Sequence, residues 1–305
     1  MLVSDGAEII ADIKQHGTPL RSVLALLLLG VVAAVCASLG VWQLNRAAER
    51  DALHNAIERG RLQAPVALSA STRPADLVPW RTAVSQGRWS PRHTVLLENR
   101  NLNGRPGYWV ATPLVLETPP AGPAADKGPV EEAPAVLVLR GWLARDMQAI
   151  DTVPPIPHEE GLVEIQGELH SHVPRIFELW DWAGGKATHL PASLPQAGGA
   201  IPRVQNLDLA DYAQATGLRL LPIVLAQTQG GTAAAPAGQP GGTAPSGHSA
   251  EGGDPLQREW PGPSLDSDQN RGYALQWFSF SAIAILAALF VAYRLLRRSP
   301  GRGRQ

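Results

Sequence analysis

Between Arg271 and Arg294 no side chain carries a charge, and residues 273–296 (YALQWFSFSAIAILAALFVAYRLL) are predominantly apolar. About 20 such residues, wound as a helix, cross the hydrocarbon core of a bilayer. The run therefore predicts a membrane-spanning helix, and it decides which solvent the rest of the chain meets. Tyr273, Trp277, Phe278 and Phe280 crowd one end of the run and Tyr293 marks the other, the headgroup levels where aromatic rings are favoured. Arg294, Arg297, Arg298, Arg302 and Arg304 follow at once. By the positive-inside rule this basic tail is expected in the cytoplasm, and everything before the helix on the opposite side.

A second uncharged run lies between Arg21 and Arg46, with its core at residues 23–42 (VLALLLLGVVAAVCASLGVW). It exceeds the 7–15 apolar residues of a signal-peptide core, so it predicts a second, uncleaved span. Residues 1–19 carry Asp5, Glu8 and Asp12 beside Lys14, unlike the acid-poor composition of a transit peptide. After Val41 the sequence stays rich in helix formers until Gly60, a residue suited to ending a helix. Trp42, Arg46 and Arg50 recur every four residues and share one face there, as interfacial anchors or as a docking surface. Gly30 with Ala34, Ala33 with Ala37, and Ala284, Ala288 and Ala292 form small-residue rows that let helices approach closely in lipid.

A formal net charge of -1 and a charged fraction of 17% leave no basic field for nucleic acid, which is not an expected partner. Cys36 is the single cysteine and sits within an apolar run, which excludes an internal disulfide and a paired-thiol site.

From Pro65 onward the hydrophobic period changes to two. Residues 82–89, 94–100, 108–116, 135–143 and 162–169 are short, rich in Val, Leu, Trp and Thr, and bounded by Gly, Pro and Asn; they predict strands. Asn103-Gly104 tolerates positive φ and predicts a hairpin turn. Asp208 is placed to cap a short helix over 209–216, closed by Gly217, before a last strand at 218–227. Residues 117–133 form a proline-broken polar segment, and residues 230–256 are so poor in bulky apolar side chains that they predict a mobile loop.

The expected fold is membrane-anchored α+β, with two transmembrane helices flanking an extracytoplasmic antiparallel β domain. Its expected divisions are a cytoplasmic tail (1–21), a first span (22–42), a helical extension (43–61) and a periplasmic β-rich domain (62–228). A flexible loop and return segment (229–270), a second span (271–296) and a basic cytoplasmic tail (297–305) complete it.

Chemical motifs are scarce. His158, His170 and His172 are the best metal candidates, yet no third ligand stands at a characteristic spacing, so no metal site is expected. There is no GxSxG elbow, HExxH, Walker loop or GxGxxG. Glu159-Glu160 reads as a solvated acidic tip. Asp181 between Trp180 and Trp182 is a carboxylate whose pKa could rise, with no nucleophile near it in sequence. No catalytic residue is assigned.

Several separated segments resemble the surfeit locus protein 1 family, membrane assembly factors for haem-copper cytochrome c oxidase. They are 39–43 (LGVWQ) with Arg46, 107–113 (GYWVATP), 138–142 (VLRGW), 206–208 (NLD) followed by Leu221-Pro222, and 272–278 (GYALQWF). Order, spacing and placement against the two apolar runs make the combination specific. The resemblance implies a non-enzymatic factor in a bacterial inner membrane that assists haem a insertion or stabilises the catalytic subunit. Its implied partners are that subunit, other assembly factors and the lipid bilayer, with haem a encountered only transiently.

Within these motifs Arg140 is expected to stack on Trp142 or pair with a carboxylate, and Gly141 to admit another backbone or a ligand. Trp42, Gln43 and Arg46 on the first helix, and Tyr273, Gln276 and Trp277 on the second, would meet if the helices pair. The family resemblance carries a haem-handling histidine just before the GYALQWF-like segment, where this chain has Asn270 and Arg271. Arg46 and Arg271, with Arg50, are the remaining candidates for contacting haem propionates. A membrane-anchored scaffold for another envelope complex, and a periplasmic enzyme built on Asp181, stay open as other readings.

Overall fold

The computed structural model describes residues 5–117, 134–149, 152–153, 155–157, 159–176, 190–196, 198–233 and 255–297. The expected loops around 118–133 and 234–254, His158, the Trp180-Asp181-Trp182 group and most of the basic tail lie outside the described residues. The chain forms two compact units, Met1–Asn55 with Pro263–Gln305, and Ala56–Gly262.

In the first unit, helix α1 begins at Asp5 and continues to Arg61, so its last residues enter the second unit. The partner helix, Ser267–Arg297, is the third helix of the chain and is labelled α3. Among the described residues two helical segments are long and apolar enough to cross a membrane, Leu20–Arg61 and Ser267–Arg297. Their contact is a narrow seam of small side chains. Ala33, Cys36, Gly40 and Ala47 are buried on α1, and Ser267, Asn270, Ala274, Ser281 and Ala284 on α3. Steps of three, four and seven residues are the spacing at which two helices keep one face together. Ser281 Oγ donates to the Ala33 carbonyl at 2.9 Å across the seam. Around it the helices present bare hydrocarbon: Leu24 is 66% exposed and Leu286 65%. Of the three small-residue rows, those of Ala33 and Ala284 put these residues in the seam, while Gly30 has nothing within 4 Å of a built Cβ.

The second unit is built on strands β1 (Val66–Leu68), β2 (Thr82–Trp89), β3 (Val95–Leu102), β4 (Arg105–Leu116), β5 (Ala135–Ala144), β6 (Val163–His170), β7 (Arg203–Val204) and β8 (Leu220–Ala233), with helix α2 (Leu209–Thr216) before β8. The sheet order is β1-β2-β6-β8-β5-β4-β3-β7, and β2 also pairs with β4. That extra pairing, Gly87–Trp89 with Leu114–Leu116, closes β2, β6, β8, β5 and β4 into a ring.

The sheet is mixed. β2–β4, β2–β6, β3–β4, β4–β5 and β6–β8 are antiparallel, whereas β1–β2, β3–β7 and β5–β8 are parallel. The expectation of an antiparallel domain is corrected at those three places, because the crossovers that bring parallel strands together are long and leave no local turn signal.

Period-two patterning sorts the side chains into two larger cores, beside a smaller cluster of Leu96, Tyr108, Val110, Leu143 and Leu256. Ala83, Trp89, Leu114, Val136, Val138, Ile165, Leu169 and Leu225 pack on one side of the strands. Val95, Leu97, Trp109, Leu137, Leu139, Trp142 and Val224 pack on the other, under Tyr212 and Ala215 of α2. Asp208 caps α2, its carboxylate accepting from the Ala210 and Asp211 amides, and Gly217 closes it at φ 69°. The β3–β4 turn carries Asn103 at φ 50° and Gly104 at φ 77°, the positive pair that a tight hairpin demands.

Candidate functional site

The β-domain motifs converge on one aromatic stack. Gly107 on β4 lies against Trp142 on β5: a Cβ there would fall 2.4 Å from Trp142 Cε2 and 2.4 Å from the Leu143 carbonyl oxygen. The Trp142 indole donates from Nε1 to the Arg100 carbonyl at 2.7 Å. Its backbone exchanges two hydrogen bonds with Gln257, at 2.7 and 2.9 Å. Gly141, at φ 155°, makes this approach possible, because a side chain would meet Leu256 Cβ at 2.8 Å. The expected opening at Gly141 is therefore filled by the chain's own segment around residues 256–257, and Leu256 is buried there.

Arg100 lies 4.4 Å over the Trp109 ring, which meets Trp260 edge-on at 5.2 Å. Burial lowers the Arg100 pKa to about 10, and its Nη2 donates to the Gln205 carbonyl. Asn206 of the NLD motif grips Ile176 by two 2.9 Å bonds, Oδ1 accepting from its amide and Nδ2 donating to its carbonyl. Tyr212 donates its hydroxyl to the His93 carbonyl, and burial pushes its pKa up.

The ring that Arg140 stacks on is Trp89 and not the expected Trp142. Arg140 is buried on β5 and lies 4.5 Å over Trp89 of β2, while the cation over Trp142 is Arg105, at 5.8 Å. The reason is the pleat. Arg140 and Trp142 are separated by the Gly141 irregularity, so Arg140 continues the row of Val136 and Val138 toward the core that holds Trp89. Beside Trp89 opens a cleft of 460 Å³ lined by Arg88, Ser90, Arg92, Val115 and Leu218. Trp89 Nε1 donates to Glu159 Oε2 at 3.3 Å, which ties one half of the expected acidic tip to the domain.

His170 and His172 follow different fates. His170 is packed edge-on against Trp80 at 4.7 Å, with its Nε2 3.5 Å from Glu168 Oε1; burial lowers its pKa and Glu168 partly opposes this. His172 Nδ1 instead meets the Ser171 hydroxyl at 2.8 Å. Among the described residues no group of three His, Cys, Asp or Glu side chains could hold a metal ion.

On the helix pair, the expected residues do not form one cluster. Trp42 is 58% exposed, Gln43 is half-buried and Arg46 pairs with Glu49 at 2.8 Å. Tyr273 and Gln276 are exposed, and Trp277 meets Phe280 edge-on along its own helix. The close meeting is Gly40 against Phe278, where a Cβ would lie 2.7 Å from the ring. Arg271 bridges Asp51 at 2.6 Å and Asp268 at 2.8 Å, and Arg50 donates to the Asp266 carbonyl and to Asn270 Oδ1.

These residues do not fit a haem. The buried side chain before Arg271 is an asparagine amide, a poor ligand for iron compared with imidazole, and the Arg46 and Arg271 guanidinium groups are already matched by carboxylates.

The family model that matches is the SURF1 family, over residues 30–282, from the middle of the first apolar run to the middle of the second. The chain belongs to the SURF1 family. No curated protein matches it. The SURF1 family is associated with cytochrome c oxidase assembly and is a family of assembly factors, not a known enzyme family. Arg100 and Trp260, which complete the stack around Trp109 and Trp142, lie outside the SURF1-like motifs. A tryptophan in an otherwise bulk-poor stretch was the available signal for Trp260.

Proposed function

We propose that the chain assists the assembly of a haem-copper cytochrome c oxidase, acting on the catalytic subunit at the stage of haem a insertion or stabilisation, alongside other assembly factors. It does so as a helical hairpin of a bacterial inner membrane, with both termini cytoplasmic and the β domain periplasmic. The family match, which covers the whole β domain and reaches into both apolar helices, carries this reading.

The chemistry is compatible with a holding role. The shared motif residues Gly107, Arg140, Gly141 and Trp142 are committed to internal packing, so they give the domain its shape, and a client would read the surface they support. Trp42, Gln43, Arg46, Tyr273, Gln276 and Trp277 lie on outward or half-buried helix positions, where a partner helix could reach them. Arg46 and Arg271 would have to surrender their carboxylate partners to contact haem propionates, and no step is assigned to haem on this chain. The orientation rests on arginines: Arg294 and Arg297 stand at the end of α3, where positive charge marks the cytoplasmic face.

Deleting the gene and measuring the haem a absorbance and oxidase activity of isolated membranes tests this. The reading expects both to fall and to return on complementation with the full chain. Unchanged haem a and oxidase activity would favour a scaffold for another envelope complex instead.

A further inference from the structure

The two ends of the helix pair treat their arginines differently. At the end near the β domain's connections, Arg46, Arg50 and Arg271 each have a carboxylate or carbonyl acceptor. At the opposite end, Arg21 of α1 and Arg294 of α3 are exposed and neither makes an ion pair or hydrogen bond among the described residues. They stand on one groove of 240 Å³ between the helices, whose other walls include Ala25, Phe290, Val291 and Leu295. Arg297, by contrast, lies 4.7 Å over the Tyr293 ring and does not line it.

We infer that this groove is a binding site for an anionic phospholipid, with its phosphate held between Arg21 and Arg294 and the start of its acyl chains against Phe290 and Leu295. The proposal rests on the membrane-spanning reading above.

The chemistry selects this ligand over others. Two guanidinium groups from different helices can each present paired N–H donors to phosphate oxygens, a match in both charge and geometry. Apart from Ser22 the rest of the groove, Ala25, Phe290, Val291 and Leu295, is apolar, so a free inorganic anion would leave that wall uncovered, whereas a lipid supplies hydrocarbon there. The volume suits a glycerol phosphate and the first methylenes, with the tails continuing along the exposed faces of the helices. Basic grooves between spans on the cytoplasmic side are where anionic headgroups concentrate. Occupancy would tie α1 to α3 at the end where the seam runs out, beyond Ala33 and Ala284.

The test is native mass spectrometry of the full chain released from detergent after exposure to phosphatidylglycerol or phosphatidylcholine. We expect at least tenfold more retained phosphatidylglycerol. The double variant Arg21→Gln/Arg294→Gln should lower that retention at least fivefold, while Arg297→Gln lowers it less than twofold. Both replaced side chains are exposed, so the seam is untouched. Equal retention of the two lipids, or an Arg297→Gln loss as large as that of the double variant, would overturn the site. Flotation of the full chain with liposomes separates the two readings. A chain that floats yet shows no lipid preference removes only the site, and one that stays in the aqueous fraction removes the spanning helices as well.

Discussion

The helix pair and the β domain are built from the same aliphatic residues, sorted in opposite directions. In the domain Leu96, Leu97 and Leu139 are fully buried, whereas on the helices Leu24, Leu28 and Leu289 are each more than 60% exposed. Water enforces the first arrangement, because each buried leucine there stabilises by about 2 kcal/mol relative to exposure. The second is the arrangement expected of helices surrounded by lipid. With hydrocarbon outside, no hydrophobic force drives α1 against α3, so within the apolar runs their contact relies on close packing of Ala33, Gly40, Ala274 and Ala284 and on the Ser281–Ala33 hydrogen bond, with Arg50–Asn270 and Arg271–Asp51 joining the helices at one end. The lesson is that glycine has one role in both regions, close approach, but its neighbours decide how much is lost when it is replaced.

The largest effect should come from Gly107→Val. The clash is with the Leu143 backbone and the locked Trp142 ring, so the β domain should lose about 3 kcal/mol or more, seen as a fall of about 10 °C in its unfolding midpoint. Gly40→Leu meets instead the far end of the Phe278 side chain, which can turn away into lipid. We expect the domain's midpoint to be unchanged while cross-linking of an Ala33→Cys/Ser281→Cys pair, in a Cys36→Ser background, falls several-fold. Equal loss of domain stability in both variants would break the comparison.

Acid should sharpen it. Burial holds His170 below its ordinary pKa of 6.5, with Trp80, Glu168, Arg61 and His172 as its neighbours. Below pH 6.5 the unfolded chain takes up a proton that the folded domain resists, so stability is lost as pH falls from 6.5 toward the folded pKa. The domain's unfolding midpoint should drop between pH 7 and pH 5, and drop less in His170→Gln. Cross-linking of the helix pair should not follow that pH change. The smallest effect is Asp208→Ala, which removes the α2 cap and should cost about 1 kcal/mol, or about 3 °C.

What could be read from the sequence followed the range of the forces involved. Residues 82–89 alternate so cleanly that β2 matches its expected bounds, and α2 could be placed from Asp208 and Gly217 because caps act within one turn. The hairpin at Asn103-Gly104 was legible for the same reason. Closure of β2 on β4 and the parallel β5–β8 pairing were not, since each joins strands remote in sequence with no turn between them. β8 ran on to Ala233, past the expected Gln227, because β6 offers it partners as far as Val163. Around the motifs, the types Arg, Gly and Trp in RGW announced cation–π stacking and close approach. Arg140 keeps the alternation of Val136 and Val138 and so meets Trp89, while the irregularity next to Gly141, which spacing alone does not reveal, turns Trp142 to the other face.

The side of the membrane on which the segment between β8 and α3 lies decides whether the β domain is outside the cytoplasm. A reporter that is active only outside the cytoplasm, such as alkaline phosphatase fused at Gly241 in the full chain, measures this in intact cells. High phosphatase activity, with a cytoplasmic reporter silent at the same position, is the predicted result. A silent phosphatase and an active cytoplasmic reporter at Gly241 would contradict it.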